Sequence, residues 1–528
     1  MTAETRSQPP ARHGLLGSSL ITGSMTMTSR ILGLVRDQVL AHVLGAGGSA
    51  DAFFLAFKIP NFFRRLFSEG AFAQAFVPVL SEYREKGSHA AVQELVNRVA
   101  GCLGSVLILV TLLAVLGAPV VAMAFASGFM QNPEKFALLT DLIRITFPYL
   151  MLISLTGFAG AVLNSYDRFA VPALTPVLLN ICMITAALVA APWFSQPAFA
   201  LAWGVLVAGV LSLMFQLPFL ARIHLLPSPQ LDWKHPGVKK ILTLMVPALF
   251  GVSVSQINLM LDAIIASYLP DGSVGWLFYS DRLVELPLGV FAIAIATVIM
   301  PSLSRQFTAQ SAEAFNRTLD WALQLILLIA LPAALALVVL AEPIILTLFQ
   351  HGKLGLEDAL MSSYSLRAYA LGLLGFMLIK VLAPGYFSRQ DMKTPVRVGV
   401  IAIFANIGLK LLLVAPLMAY FALGHVGLAL ATALSAYVNA YLLYRGLRRA
   451  GVYQPLPGWG RVWAKYVIAN LVMLAVLLGF MYLLDDWRLL GWWQRSWQLG
   501  LVCLAGGISY FVSLGVLGVR PGSFRLRV

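Results

Sequence analysis

The sequence predicts an all-α integral membrane protein of fourteen transmembrane helices, arranged as two six-helix lobes followed by two further helices. Three observations carry this prediction. Hydrophobic residues make up 59% of the 528 residues and charged ones only 11%, with a mean hydropathy of +0.83, whereas about a quarter of a soluble domain is charged. The apolar runs reach about 20 residues or more, enough to span as helices, and lack the short alternating segments of a barrel. Lys and Arg are shared very unevenly between alternate loops.

Glycine, proline and charge clusters divide the chain into helices near 15–44, 50–83, 93–125, 136–163, 171–191, 199–221, 238–268, 275–304, 316–341, 357–386, 396–418, 425–448, 460–484 and 496–518. Residues 1–14 form a polar N-terminal tail, 15–221 a first lobe, 238–448 a second lobe, 460–518 the two extra helices and 519–528 a C-terminal tail. The first apolar segment carries Arg30, Arg36 and Asp37 and lacks a convincing A-x-A cleavage site, so no cleaved signal peptide is expected. Arg84, Lys86, Lys239, Lys240, Arg389, Lys393, Arg445, Arg448 and Arg449 all fall on the side of the two termini, and the positive-inside rule makes that side the cytoplasm. The same rule absorbs most of the net charge of +14, so no nucleic-acid partner is implied. Trp487, Trp492, Trp493 and Trp497 belong at the outer interface, where indole rings favour the headgroup level. Cys102, Cys182 and Cys503 stand singly in apolar runs, without disulfide or metal spacing.

Compared with itself at a shift of about 223 residues, the chain aligns Arg144 with Arg367, Ser165 with Ser388, Pro172 with Pro395 and PVLS at 78–81 with PSLS at 301–304. A two-residue slip also brings Asp37 onto Asp262. Six helices per repeat is an even number, so the halves share orientation, as in transporters whose substrate site lies near mid-membrane.

Charges inside the apolar segments point the same way. Arg30, Arg36, Lys58, Arg64 and Arg65 facing lipid at mid-depth would together cost on the order of 15 kcal/mol. Asp51, Lys58, Arg65 and Glu69 follow at spacings of seven, seven and four, near one face of helix 2 if Pro60 bends it little. Helix 8 carries Asp281, Arg282 and Glu285 within about a third of its circumference, and helix 7 adds Ser255, Asn258 and Asp262. Polar faces from both lobes cost least when they share a wet, cationic cavity. Arg36 points away from the face of Arg30 and Asp37 on a straight helix, so either Gly33 breaks the helix or Arg36 pairs with a neighbour.

Clustered guanidinium groups suit a phosphate or diphosphate. The structural alternative is a set of interhelical salt bridges with Asp37, Asp51, Glu69, Asp281 and Glu285, and the two coexist where carboxylates hold the arginines in place. Arg144 and Arg367 near helix ends fit that structural role as well as any other. No G-x-x-x-x-G-K-[ST] or H-E-x-x-H occurs, the seven histidines are scattered, and no carboxylate motif of an enzyme acting on polyprenyl phosphates is present. Neither catalytic residues nor a metal site are therefore expected.

SRILGLVRD at 29–37, the long stretch ADAFFLAFKIPNFFRRLFSEGAFAQAFVPVLSEY at 50–83, YSDRLVELPLGVF at 279–291 and VLAPGYFSRQDMKTPV at 381–396 closely resemble the MurJ (MviN) lipid II flippases of the multidrug/oligosaccharidyl-lipid/polysaccharide exporter superfamily. The resemblance spans essentially the whole chain. It implies a central cationic cavity for the diphosphate and sugar-peptide head of lipid II, with the essential arginines at Arg30, Arg36, Arg64 or Arg65, and Arg282, and with Asp37, Asp51 and Glu285 in support. It also implies a groove on helices 13 and 14 for the undecaprenyl tail, a location in the bacterial cytoplasmic membrane, and a monomer working beside cell-wall synthesis proteins. Some relatives hold sodium with the helix 7 aspartate, here Asp262, and an asparagine and aspartate on helix 11; this chain has Asn406 and then Lys410. The ammonium should repel sodium and pair with Asp262, leaving no cofactor and a role for the membrane potential.

The expected mechanism is alternating access, with the tail staying in lipid. The rivals are a flippase for another polyprenyl-diphosphate oligosaccharide and a drug exporter of the same superfamily, the latter disfavoured by the basic excess. A lipid-modifying enzyme lacks its catalytic constellation, and a pure scaffold does not account for so many buried charges.

Overall fold

The computed structural model describes residues 12–519 apart from Asp485, and the side chains of these except at 12–24, 26, 67–70, 250–252, 254 and 255. Most of both predicted tails, and the side chains of Glu69 and Ser255, thus lie outside the described residues. What is described is helical throughout, with no strand among the described residues. Among the described residues eleven helices are long and apolar enough to cross a membrane, from His89–Leu116 to Trp492–Val516. Three other long helical runs, Arg12–Leu44, 48–86 and Pro236–Ser267, hold most of the ionisable residues singled out above.

Two predicted helices end early. The segment expected at 93–125 stops at Leu116, and a short helix, Ala118–Phe125, follows Gly117 and carries Pro119 in its first turn. The segment expected at 316–341 stops at Val339, and Ala341–Leu348 begins again with Pro343. In both, proline is accepted in a first turn, where its missing N–H costs nothing, and continuous hydropathy hides the break.

Proline also reshapes the two charged helices. Pro60 frees the carbonyl of Ala56, which the Thr146 hydroxyl satisfies at 3.0 Å, and a π-helical stretch, Arg64–Phe72, follows. In the second half Pro287 is followed by a π-helical stretch, Leu288–Ala292. The 223-residue shift carries residue 65 onto 288. It also carries Asp167 onto Gln390, and both are left-handed, at φ 59° and 61°. These turns close alike, with Arg168 N–H on Leu163 O at 3.0 Å and Asp391 N–H on Tyr386 O at 3.1 Å.

The chain forms two compact units, one of residues 1–40, 56–122 and 136–253, the other of 41–55, 123–135 and 254–528. The first is centred on Phe72, Phe76, Leu80, Val96, Phe158 and Val162, with Phe76 and Phe158 rings 5.1 Å apart. In the second, helices Leu356–Leu382 and Gly424–Arg449 approach so closely that a Cβ on Gly372 would lie 2.6 Å from Ala433 Cα. Small residues are the usual means of such packing in membranes, where apolar burial alone does not drive helices together.

Candidate functional site

The Arg12–Leu44 helix runs unbroken through Gly33, which corrects the expectation of a break there. Arg36 instead takes partners. Its Nε and Nη2 donate to Asp37 Oδ1 at 2.9 and 2.7 Å, and its Nη1 donates to Asn180 Oδ1 at 3.0 Å. Asn180 in turn donates to the carbonyl of Ser29 at 3.0 Å, tying the fifth long helix across the first. Arg36 is 6% exposed and Asp37 2%. Three of the five guanidinium donors are accounted for in this way, in a setting too dry to leave the charge unpaired. Arg30, six residues earlier, is half-buried. Asn180 did not stand out in the sequence; a lone amide inside the apolar run LTPVLLNICMI was the available signal.

On the second helical run Arg64 is half-buried and donates through Nε to Asn61 Oδ1 at 3.1 Å, while Asn61 donates to Phe57 O at 2.8 Å. Arg65 and Lys58 are exposed. The two adjacent arginines are thus distinguishable, Arg64 half-buried and bonded to Asn61 of its own helix, Arg65 exposed.

The second unit contains the remaining residues. Arg282 Nη1 lies 2.9 Å from Glu285 Oε2, and its guanidinium sits 5.0 Å from the Phe278 ring centre; Asp281 is exposed. Lys410, 1% exposed, places its Nζ 2.7 Å from Asp262 Oδ1 and 2.9 Å from Asn258 Oδ1, which also accepts from Asn406 at 3.1 Å. The ammonium therefore stands among side-chain oxygens of Asp262 and Asn258.

Asp51 sits elsewhere, in a cluster whose other cation was missed in the sequence. It accepts the N–H groups of Gly272 at 2.8 Å and Gly275 at 3.0 Å, at the start of the Ser273–Pro287 helix, where the dipole favours an anion. Lys135 Nζ bridges Asp51 Oδ2 at 3.1 Å and Asp271 Oδ1 at 2.7 Å, over the Phe129 ring. Gly272, at φ +97°, admits no side chain, since a Cβ would lie 2.4 Å from Ala46 O. Lys135 reads in sequence as a helix-start charge in a loop, NPEKF, and only the fold reveals its burial. Arg144 pairs with Asp141 at 2.7 Å and Arg367 with Glu342 at 3.8 Å.

Long apolar helices with ion pairs buried among them define the class of polytopic membrane proteins. A solved structure titled inward-facing conformation of a multidrug resistance MATE family transporter of the MOP superfamily matches with a TM-score of 0.63 over 82% of this chain and 98% of its own, at 14% identity, a likeness of fold alone. The chain belongs to the MurJ family, whose model, described as lipid II flippase MurJ, matches residues 40–492. It is 49% identical to the probable lipid II flippase MurJ of Vibrio cholerae over 516 residues, covering 96% of this chain and 97% of that one. A solved structure titled lipid II flippase MurJ, inward closed conformation, matches with a TM-score of 0.79 and 26% identity over 94% and 98% of the two chains.

Proposed function

We propose that this chain moves lipid II from the inner to the outer leaflet of the cytoplasmic membrane by alternating access. Family membership over nearly the whole chain carries the reading. The buried Arg36–Asp37–Asn180 cluster supports it, because a guanidinium oriented by a carboxylate is pre-organised for a phosphate oxygen. Arg30, Arg36, Arg64, Arg65 and Arg282 are the proposed ligands of the diphosphate and head group, with Asp37, Lys58, Glu69, Asp281 and Glu285 as supporting charges. The eleven apolar helices and the three charged runs make fourteen spans, with both termini in the cytoplasm as the basic loops require. The lipid tail stays in the membrane, against apolar residues such as Leu471, Leu478, Leu504 and Ile508 on the last two helices. The protein works as a monomer.

No coupling ion is needed in this reading. Lys410 acts as a tethered cation on Asp262, and export of the anionic head group runs with an inside-negative potential worth roughly 2.3 kcal/mol per charge per 100 mV. Sodium should leave the melting temperature of the purified protein unchanged; a sodium-dependent rise abolished by Asp262→Ala would overturn this part.

The test of the function is depletion of the native flippase in cells where this chain is the sole source, reading lipid II accessibility at the outer face. Wild type should sustain it. Arg30→Ala and Arg282→Ala should insert normally and fail, and normal flipping by both would remove the ligand assignment.

A further inference from the structure

The two like turns of the repeat differ in one chemical respect. In the second half the residue after the left-handed Gln390 is Asp391, whose Oδ1 accepts the N–H of Thr394 at 3.0 Å at the start of the Lys393–Phe421 helix. That helix carries its own anion. In the first half the residue after the left-handed Asp167 is Arg168, and the following helix, Ala170–Thr185, begins without a side-chain cap. An α-helix leaves its first N–H groups without intrahelical acceptors and its N-terminus electropositive, so replacing a carboxylate by a cation here leaves the charge uncompensated.

A pocket of about 370 Å³ opens at this turn. Arg168 and Arg222 flank it, and Phe169, Val171 and Phe219 form its apolar wall. Arg222 lies 5.4 Å from the centre of the Phe219 ring. Asp167, the one carboxylate at the pocket, is 3.9 Å from Arg84, which also stacks 4.8 Å from the Tyr166 ring centre. Among the described residues Arg168 and Arg222 have no carboxylate within ion-pair distance. Two exposed guanidinium groups over an aromatic wall, at the end of apolar helices, match a phosphodiester with a hydrocarbon chain attached.

We infer that the turn at 167–171 and the end of the Pro197–Arg222 helix bind the head group of an anionic membrane phospholipid. The phosphate lies between Arg168 and Arg222 and supplies the anion that Asp391 supplies in the other half, while the acyl chain runs along Phe219 and Val171. The leaflet follows from the cytoplasmic placement proposed above, on which this inference rests. The pocket uses none of the residues assigned to the transported head group.

Native mass spectrometry of the purified full chain in detergent tests the inference with three probes: phosphatidylglycerol, phosphatidylcholine and inorganic phosphate. Wild type should retain phosphatidylglycerol at least tenfold more tightly than Arg168→Gln/Arg222→Gln, while Arg317→Gln, a surface change on another helix, should retain it as wild type does. Phe219→Ala should weaken lipid retention without affecting the response to inorganic phosphate. Arg168→Asp, which copies Asp391, should lose the lipid and raise the melting temperature in lipid-free detergent. Equal retention by wild type and the double variant would overturn the site. Phosphatidylcholine bound as tightly as phosphatidylglycerol would overturn the anionic requirement, and displacement by millimolar phosphate would overturn the lipid in favour of a soluble phosphoester. Binding is read without transport, so loss of lipid with flipping intact leaves the flippase reading standing, and lipid retained by a chain that cannot flip leaves this one standing.

Discussion

Each half of the chain buries one cation beside an aspartate from its first helix and an asparagine from its fifth, and the two clusters have opposite characters. Asp262 follows Asp37 by 225 residues and Asn406 follows Asn180 by 226, close to the general repeat. In the first half the cation is Arg36, next to its aspartate on the same helix, with two bonds to Asp37 and one to Asn180. In the second it is Lys410, on the helix of the asparagine and one turn beyond it. A guanidinium is a planar fork with five donors and can keep a carboxylate while presenting donors to an anion. An ammonium is a compact point charge with three donors; Lys410 donates to Asn258, sets its charge 2.7 Å from Asp262 Oδ1 and is 1% exposed. The comparison teaches that a duplicated polar cluster can leave guanidinium donors uncommitted in one buried copy and hold a compact ammonium between two partners in the other. The residue that carries the charge decides which.

The largest expected effect comes from breaking the Lys410–Asp262 pair. Lys410→Met strands Asp262 among apolar helices and should cost on the order of 3–5 kcal/mol of stability, read as a fall in the melting temperature of the purified protein. Asp262→Asn/Lys410→Met should recover most of that loss, because removing both charges of a buried pair is often close to neutral. A single variant as stable as wild type would show that the pair holds nothing.

The Arg36 cluster should respond in function more than in stability. Arg36→Lys retains the charge but cannot reach Asp37 and Asn180 in a fork, so flipping should fall at least tenfold with a stability loss of about 1–2 kcal/mol. Asn180→Leu should be milder in flipping, since it leaves the Asp37 bonds, and should cost about 1–3 kcal/mol by orphaning an Arg36 donor and releasing the link to Ser29. If Arg36→Lys flips normally while Lys410→Met abolishes flipping, the contrast between the two clusters is reversed.

How much of this was legible beforehand follows the same division. The helices were legible because twenty apolar residues in a row have few other fates, and the charged stretches because their burial is costly. The pairing of Lys410 with Asp262 was legible through the family resemblance, which sets the helix 7 aspartate against the helix 11 position where this chain has a lysine. Asn180 was not, since an amide carries no charge to flag it, and its use depends on which helix face meets the Arg12–Leu44 helix. Lys135 was not, because a lysine in a loop between apolar runs is normally solvated, and its burial is created by Asp51 and Asp271 arriving from distant segments. The π-helical stretches after Pro60 and Pro287 were invisible for a related reason: hydropathy does not report how a helix redistributes its hydrogen bonds around a missing N–H.

The smallest effect sharpens the comparison at the two turns. Hydrogen bonds from the Thr394 hydroxyl and N–H hold the Asp391 carboxyl below its ordinary value of 3.8. A depressed pKa contributes stability that is complete above the ordinary value and is lost as pH falls through the lower, folded one. Asp391→Asn should therefore cost about 0.5–1 kcal/mol at pH 7, kept small by solvent screening, and the difference from wild type should fade as pH drops below the ordinary carboxyl value and be gone once Asp391 is protonated in the folded protein. At the matching position of the first half the sign differs. Arg168→Gln removes no carboxylate, so the offset of its melting temperature from wild type should stay flat from pH 7 down through the range in which the Asp391→Asn offset is lost. An Arg168→Gln offset that changed over that range would mean that the first turn carries its own counter-charge as the second does.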